Sequence, residues 1–141
     1  MIRKVVVTGL GAVTPLGNDV PTFWNNLLQG ICGIAPITRF DASEYKATLA
    51  AEVKDLDMSI YMEKSEIRKS DLFSQYAMAA ACQAVSDSGI IGTISPDRLS
   101  VYFGSGIGGI STFASEMEKL LTKGAKRVSP YFIPDVYKRQ V

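Results

Sequence analysis

A chain of 141 residues with 47% apolar and 21% charged residues has the size and make-up of a single globular domain that buries a core. Its net charge of +1 lends no support to nucleic acid as a partner, so electrostatic recognition has to come from a local patch. It has no histidine, which removes imidazole acid–base catalysis and most transition-metal sites from what these residues can build.

The start, MIRKVVVTGLGAV, has a basic tip and an apolar run, the outline of a secretion signal. Thr8, Gly9 and Gly11 break the run, and Pro15 and Gly17 follow, which suits a strand entering a turn. Residues 5–7 are three consecutive valines, the pattern of a strand buried on both faces. A helix is predicted over about 21–29, with Pro21 in its first turn and Gly30 at its end. Phe23, Trp24, Leu27 and Leu28 share one of its faces. Residues 47–53, ATLAAEV, are a weaker strand candidate.

A longer helix is predicted over about 71–88, with Gly89 as its left-handed stop. Ala77, Ala79, Ala80, Ala81 and Ala84 leave little side chain on any face. Another backbone can approach such a surface closely, so this helix is expected to be central and covered on most sides. Residues 99–104, LSVYFG, read as the next strand. A last helix over about 111–123 turns Phe113, Met117, Leu120 and Leu121 inward, and Gly124 closes it. Strands alternating with helices imply a mainly parallel α/β sheet.

The run YAMAAACQAV is interrupted by Gln83 and is too short to span a bilayer. No membrane role is expected, and the protein is placed in the cytoplasm. Cys32 and Cys82 match no zinc or redox spacing and read as two buried thiols in a reducing compartment. After RVSPYFIP, the tail DVYKRQV has no periodicity, so the chain reads as interrupted near Pro134.

Two glycine runs raise the question of phosphate binding. In VVVTGLGAVTPLG a strand precedes G-x-G, but Thr14 and Pro15 stand where the third glycine should open a helix. No acidic ribose ligand follows about twenty residues later, where GICGIAP stands. The second run, GSGIGGIS, lacks the Lys-Ser/Thr pair of a Walker loop. Its glycines fit either close packing of backbone on backbone or the lining of an apolar channel, with Ile107 as the bulky residue in the run. The charges at Lys64, Arg68 and Lys69 are balanced by Glu63, Glu66 and Asp71, which taken alone describes a solvated helix start laced with ion pairs.

Taken in order, RKVVVTGLGAVTPLGN, FWNNLLQGICGI, RFDASEY, IRKSDLFSQYAMAAACQAVSDSG, GSGIGGI and KRVSPYFIP resemble the N-terminal part of an elongating, type II β-ketoacyl-acyl carrier protein synthase. The likeness spans about residues 3–134, leaving 135–141 as a non-family tail. It implies a thiolase-like layered α/β fold, αβαβα in the full enzyme, of which residues 1–134 would be most of the first half. It also implies a homodimer and no cofactor or metal. The implied reaction is a decarboxylative Claisen condensation on a cysteine thiolate assisted by two histidines. None of those three residues is matched here: Cys82 sits in the alanine-rich helix and Cys32 in a turn, so the fragment itself is expected to be inactive.

Two groups of residues do match the family. Gly104, Gly106, Ile107, Gly108 and Gly109, with Phe132, correspond to the closed end of the acyl pocket near the dimer interface. Lys64, Arg68 and Lys69, with Lys126 and Arg127, correspond to the basic patch for the acidic acyl carrier protein. A non-catalytic chain-length-factor-like subunit of a polyketide synthase is the alternative, and a nucleotide-binding α/β module ranks below it.

Overall fold

The computed structural model describes residues 4–132. Within the described residues the chain divides into two compact units, one made of residues 4–57 and 79–90, the other of residues 58–78 and 91–132.

In the first unit, helix α1 (Val20–Leu28) follows Asp19, which is extended at φ −150° and caps it. The Asp19 carboxylate accepts from the Thr22 amide at 2.7 Å, satisfying an amide that the helix leaves open, and from the Thr22 hydroxyl at 2.8 Å. Pro21 lies in the first turn, as its missing donor predicts. The apolar face of α1 is largely uncovered among the described residues, with Trp24 and Leu28 both exposed.

Strands β1 (Ile34–Pro36) and β2 (Leu49–Ala51) form an antiparallel pair, with Ile34 opposite Ala51 and Pro36 opposite Leu49. The strand expected over 47–53 is therefore present, and its partner lies in GICGIAP, for which the sequence suggested no strand. Thr38 closes the pair by donating its hydroxyl to Glu52 Oε2 at 2.7 Å, which holds the Glu52 carboxyl below its usual range.

The parallel sheet is not formed among the described residues. Residues 4–13 and 99–105 carry no regular structure, and Val5 is 94% exposed rather than buried on both faces. The physical reason is that a β-branched run favours strand geometry but cannot supply the neighbour whose N–H and C=O groups complete a ladder. Among the described residues no segment pairs with either stretch.

Helix α3 (Leu72–Ser88) has the span that its alanines and Gly89 predict, and Gly89 adopts φ +60°. Ala79 is completely buried and most of the other residues are half-buried, so the helix is partly covered rather than central. Its small residues do admit a second backbone. The segment carrying Gly9 and Gly11 lies directly against Ala80, Ala84 and Ser88. The Leu10 amide donates to Asp87 Oδ2 at 2.9 Å, and the Ala12 amide donates to Gln83 Oε1 at 3.0 Å. Cys82 is half-buried on α3, whereas Cys32 is exposed in the turn after α1, which corrects the expectation of two buried thiols.

The second unit contains the short helix α2 (Lys64–Ile67) and helix α4 (Ile110–Lys123), followed by a 3₁₀ turn over Ala125–Arg127. Gly124 ends α4 at φ +81°, as expected. The predicted inward face is corrected in detail. Met117 is half-buried, but Phe113, Leu120 and Leu121 are exposed, and the buried residue of the helix is Glu116. No helix among the described residues is long and apolar enough to cross a membrane.

Candidate functional site

The residues singled out as pocket and docking elements all belong to the second unit, so one piece of local structure carries them. The glycine run leads into α4. Gly108 sits at φ +81°, a conformation costly for any residue with a Cβ, and its amide donates to Ser105 Oγ at 2.9 Å. Gly109 is the N-terminal cap of α4, and its carbonyl accepts from the Phe113 amide at 2.9 Å. Gly104 and Gly106 differ: a Cβ on either would meet nothing within 4 Å. Close packing of backbone on backbone does not explain them here. It explains Gly9 and Gly11, in the other run.

Ile107 projects from this loop and is 72% exposed. Phe132, half-buried, sets its ring 5.9 Å from that of Phe113, tilted by 32°. The loop, the first turn of α4 and Phe132 thus present a small, largely apolar surface with no charged side chain among the residues named.

The first turn of α4 is already supplied with an anion. Asp71 Oδ2 accepts from the Thr112 amide at 3.2 Å and from the Thr112 hydroxyl at 2.6 Å. A carboxylate of the chain therefore occupies the place where a phosphate would meet the helix dipole. At α1, after the first glycine run, Asp19 does the same. Both arrangements weigh against the nucleotide-binding reading.

The five basic residues Lys64, Arg68, Lys69, Lys126 and Arg127 are all exposed. The ion-pair lacing expected around the first three is absent: among the described residues none of Lys64, Arg68 and Lys69 pairs with Glu63, Glu66 or Asp71, whereas Lys119 and Glu116 do form a salt bridge. The acids have other work: Glu63 and Glu66 form a capping box at α2, with the Glu63 amide donating to Glu66 Oε2 at 3.4 Å. Asp71 is engaged with Thr112. Lys69 Nζ lies 5.3 Å from the centre of the Tyr131 ring, a cation–π contact that joins the two basic groups through the segment carrying Phe132.

Sequence reasoning passed over Glu116, Asp71 and Tyr131 as contributors. Glu116 had a signal: with Phe113, Met117 and Leu120 it shares one helical face, so it is a charge on an apolar stripe with a lysine three residues on. Asp71 had none, because Thr112 is far away in sequence. Among the described residues no cluster of potential metal ligands occurs.

Comparison with known proteins decides the family. The profile of the β-ketoacyl synthase N-terminal domain matches residues 2–139. The chain belongs to this family. It is 46% identical over 133 residues to the 3-oxoacyl-[acyl-carrier-protein] synthase 2 of Staphylococcus aureus strain COL, covering 94% of this chain and 32% of that protein. It is 48% identical, with the same coverage, to the enzyme of that name from Coxiella burnetii. The chain spans about a third of the length of the curated relatives it matches.

Solved structures agree on the fold, which is that of the thiolase-like ketosynthases in part. The ishigamide ketosynthase/chain length factor superposes with a TM-score of 0.73 at 28% identity, over 93% of this chain and 33% of that one. A type II PKS acyl-carrier protein in complex with its ketosynthase bound to the hexaketide gives a TM-score of 0.75 at 27% identity, over 94% and 34%. The matched family span ends at residue 139, and the tail 135–141 lies outside the described residues.

Proposed function

We propose that this chain is the N-terminal part of an elongating β-ketoacyl-acyl carrier protein synthase of fatty acid synthesis. The reaction joins an acyl thioester to malonyl-acyl carrier protein. The acyl group passes to a cysteine sulfur, loss of CO₂ from the malonyl unit leaves a carbanion, and that carbanion attacks the acyl carbonyl to give 3-oxoacyl-carrier protein. The observation that carries this reading is the 46–48% identity to enzymes named 3-oxoacyl-[acyl-carrier-protein] synthase 2 along nearly the whole chain.

In this reading the part of the chain that matches the family supplies binding rather than bond-making groups. The nucleophile and the two histidines lie elsewhere in the protein. Cys32, exposed in a turn, and Cys82, in the middle of α3, have no part in the chemistry. Ile107 and the glycines around it, with Phe132, form the closed end of the acyl pocket beside a homodimer interface. Lys64, Arg68, Lys69, Lys126 and Arg127 attract the acidic carrier protein, chiefly by raising the association rate. The intact enzyme works in the cytoplasm.

The test is to express the full-length gene product and supply acyl-carrier protein with malonyl-carrier protein. Release of CO₂ with formation of 3-oxoacyl-carrier protein supports the reading. A full-length product that carries another residue at the nucleophile position and releases no 3-oxoacyl product would replace it with the chain-length-factor reading, which the likeness to a ketosynthase/chain length factor structure keeps in view.

A further inference from the structure

Glu116 is a glutamate on the apolar stripe of α4 and is only 5% exposed. A buried carboxylate is costly unless both oxygens are satisfied. Here they are, by two different segments. Oε1 takes Lys119 Nζ at 2.5 Å, one turn along the same helix. Oε2 takes the backbone amide of Ser129 at 2.6 Å, beyond the end of the helix.

Ser129 is the hub of the turn that follows. Its carbonyl accepts from the Phe132 amide at 3.1 Å, and its hydroxyl accepts from the Tyr131 amide at 3.1 Å. Immediately before it, the 3₁₀ turn Ala125–Arg127 presents Lys126 and Arg127 to solvent, and the Val128 amide closes that turn on the Ala125 carbonyl at 3.2 Å. Tyr131 in turn lies under Lys69, and Phe132 lies against Phe113. One carboxylate therefore fixes a segment that carries two exposed cations, the ring beneath a third, and the pocket aromatic.

We propose that Glu116 is a positioning residue that couples the carrier-docking cations to the acyl-pocket aromatic by pinning Ser129. The proposal rests on the synthase reading above. Its bond to Lys119 neutralises the carboxylate in place; its bond to Ser129 sets the geometry. Reach matters more than charge.

The experiment uses the full-length enzyme with three variants at this position and a docking control. Glu116→Ala removes both bonds. Glu116→Asp keeps the charge but is one methylene too short to hold the Ser129 amide. Glu116→Gln keeps an acceptor for that amide. Ala and Asp should each raise KM for acyl-carrier protein about fivefold and also lower kcat/KM on acyl-CoA, which needs no docking but enters the pocket beside Phe132, by at least about threefold. Gln should stay near wild type. The control is the charge reversal of Lys126 and Arg127 to Glu. If the reversal raises the carrier KM and neither Ala nor Asp does, the coupling proposal is wrong. If the reversal itself has no effect, the docking reading fails first, and hydrogen exchange of residues 129–132 then decides the pin. Protection lost in Ala and Asp but kept in Gln supports it, and unchanged protection overturns it. Should Ala not accumulate as folded protein, Asp and Gln alone make the same comparison.

Discussion

A Cβ placed on Gly9 or Gly11 would come within 2.3 Å of the Ala84 carbonyl oxygen or 1.9 Å of that of Ala80, whereas one placed on Gly104 or Gly106 would meet nothing. Both runs follow apolar segments, both precede helices, and both could be mistaken for phosphate loops. In the first, glycine is needed for space, because the chain lies directly on the backbone of an alanine-rich helix. In the second, the need is conformational at Gly108 and leaves an open surface around Ile107. In neither does the helix N-terminus await an anion, since Asp19 and Asp71 already bond the first-turn amides. Glycine content alone does not distinguish a wall, a hinge and a cradle; what stands opposite the missing side chain does.

The contrast can be broken by adding single methyl groups. Gly11→Ala should be the most damaging, because the obstructing atoms are helix backbone and cannot swing aside. A loss of about 3 kcal/mol in denaturant unfolding is expected. A loss under about 0.5 kcal/mol would show that the segment does not lie on α3 as described. Gly108→Ala meets a conformational rather than a steric obstacle and should cost about 1 kcal/mol in the same assay.

Asp71→Ala removes the acceptor from Thr112 and should also cost about 1 kcal/mol. A phosphate-dependent rise in Tm in that variant, absent from the parent, would sharpen the argument that the carboxylate stands in an anion's place. Gly106→Ala should change stability by less than about 0.5 kcal/mol. If the loop does line the acyl pocket, the same variant of the full-length enzyme shifts its preference toward shorter acyl chains. An unchanged chain-length profile would count against the pocket assignment.

The smallest expected effect is a pH dependence. The hydrogen bond from Lys119, then that from the Ser129 amide, hold Glu116 below the usual carboxylate range against the opposing effect of burial. Its folded-state pKa is depressed, so its stabilising contribution is complete above the ordinary glutamate range and is lost as pH falls through the lowered value. Acid titration of wild type against Glu116→Gln should therefore show a stability difference that shrinks only on the acid side. A difference that persists unchanged into strong acid would mean that the carboxylate's charge has no role.

Helix existence was legible in the residues because its causes are local. Pro21 opens α1, the alanines and Gly89 delimit α3, and Gly124 closes α4, each acting within a turn of the backbone it governs; the Asp19 cap was not read. The family was legible too, in the order of its motifs. Pairing was not: 5–7 and 99–104 read as strands, yet neither joins a ladder among the described residues, while Ile34–Pro36, for which no strand was expected, pairs with Leu49–Ala51. Hydrogen bonding between strands depends on which segment arrives alongside, and no residue carries that information by itself. The same holds for Asp71 on Thr112 and for Glu116 on Ser129. Composition and pattern determined which segments coil and which glycines end them. Only the tertiary structure decided which glycines are crowded, which are open, and where the buried carboxylate makes its bonds.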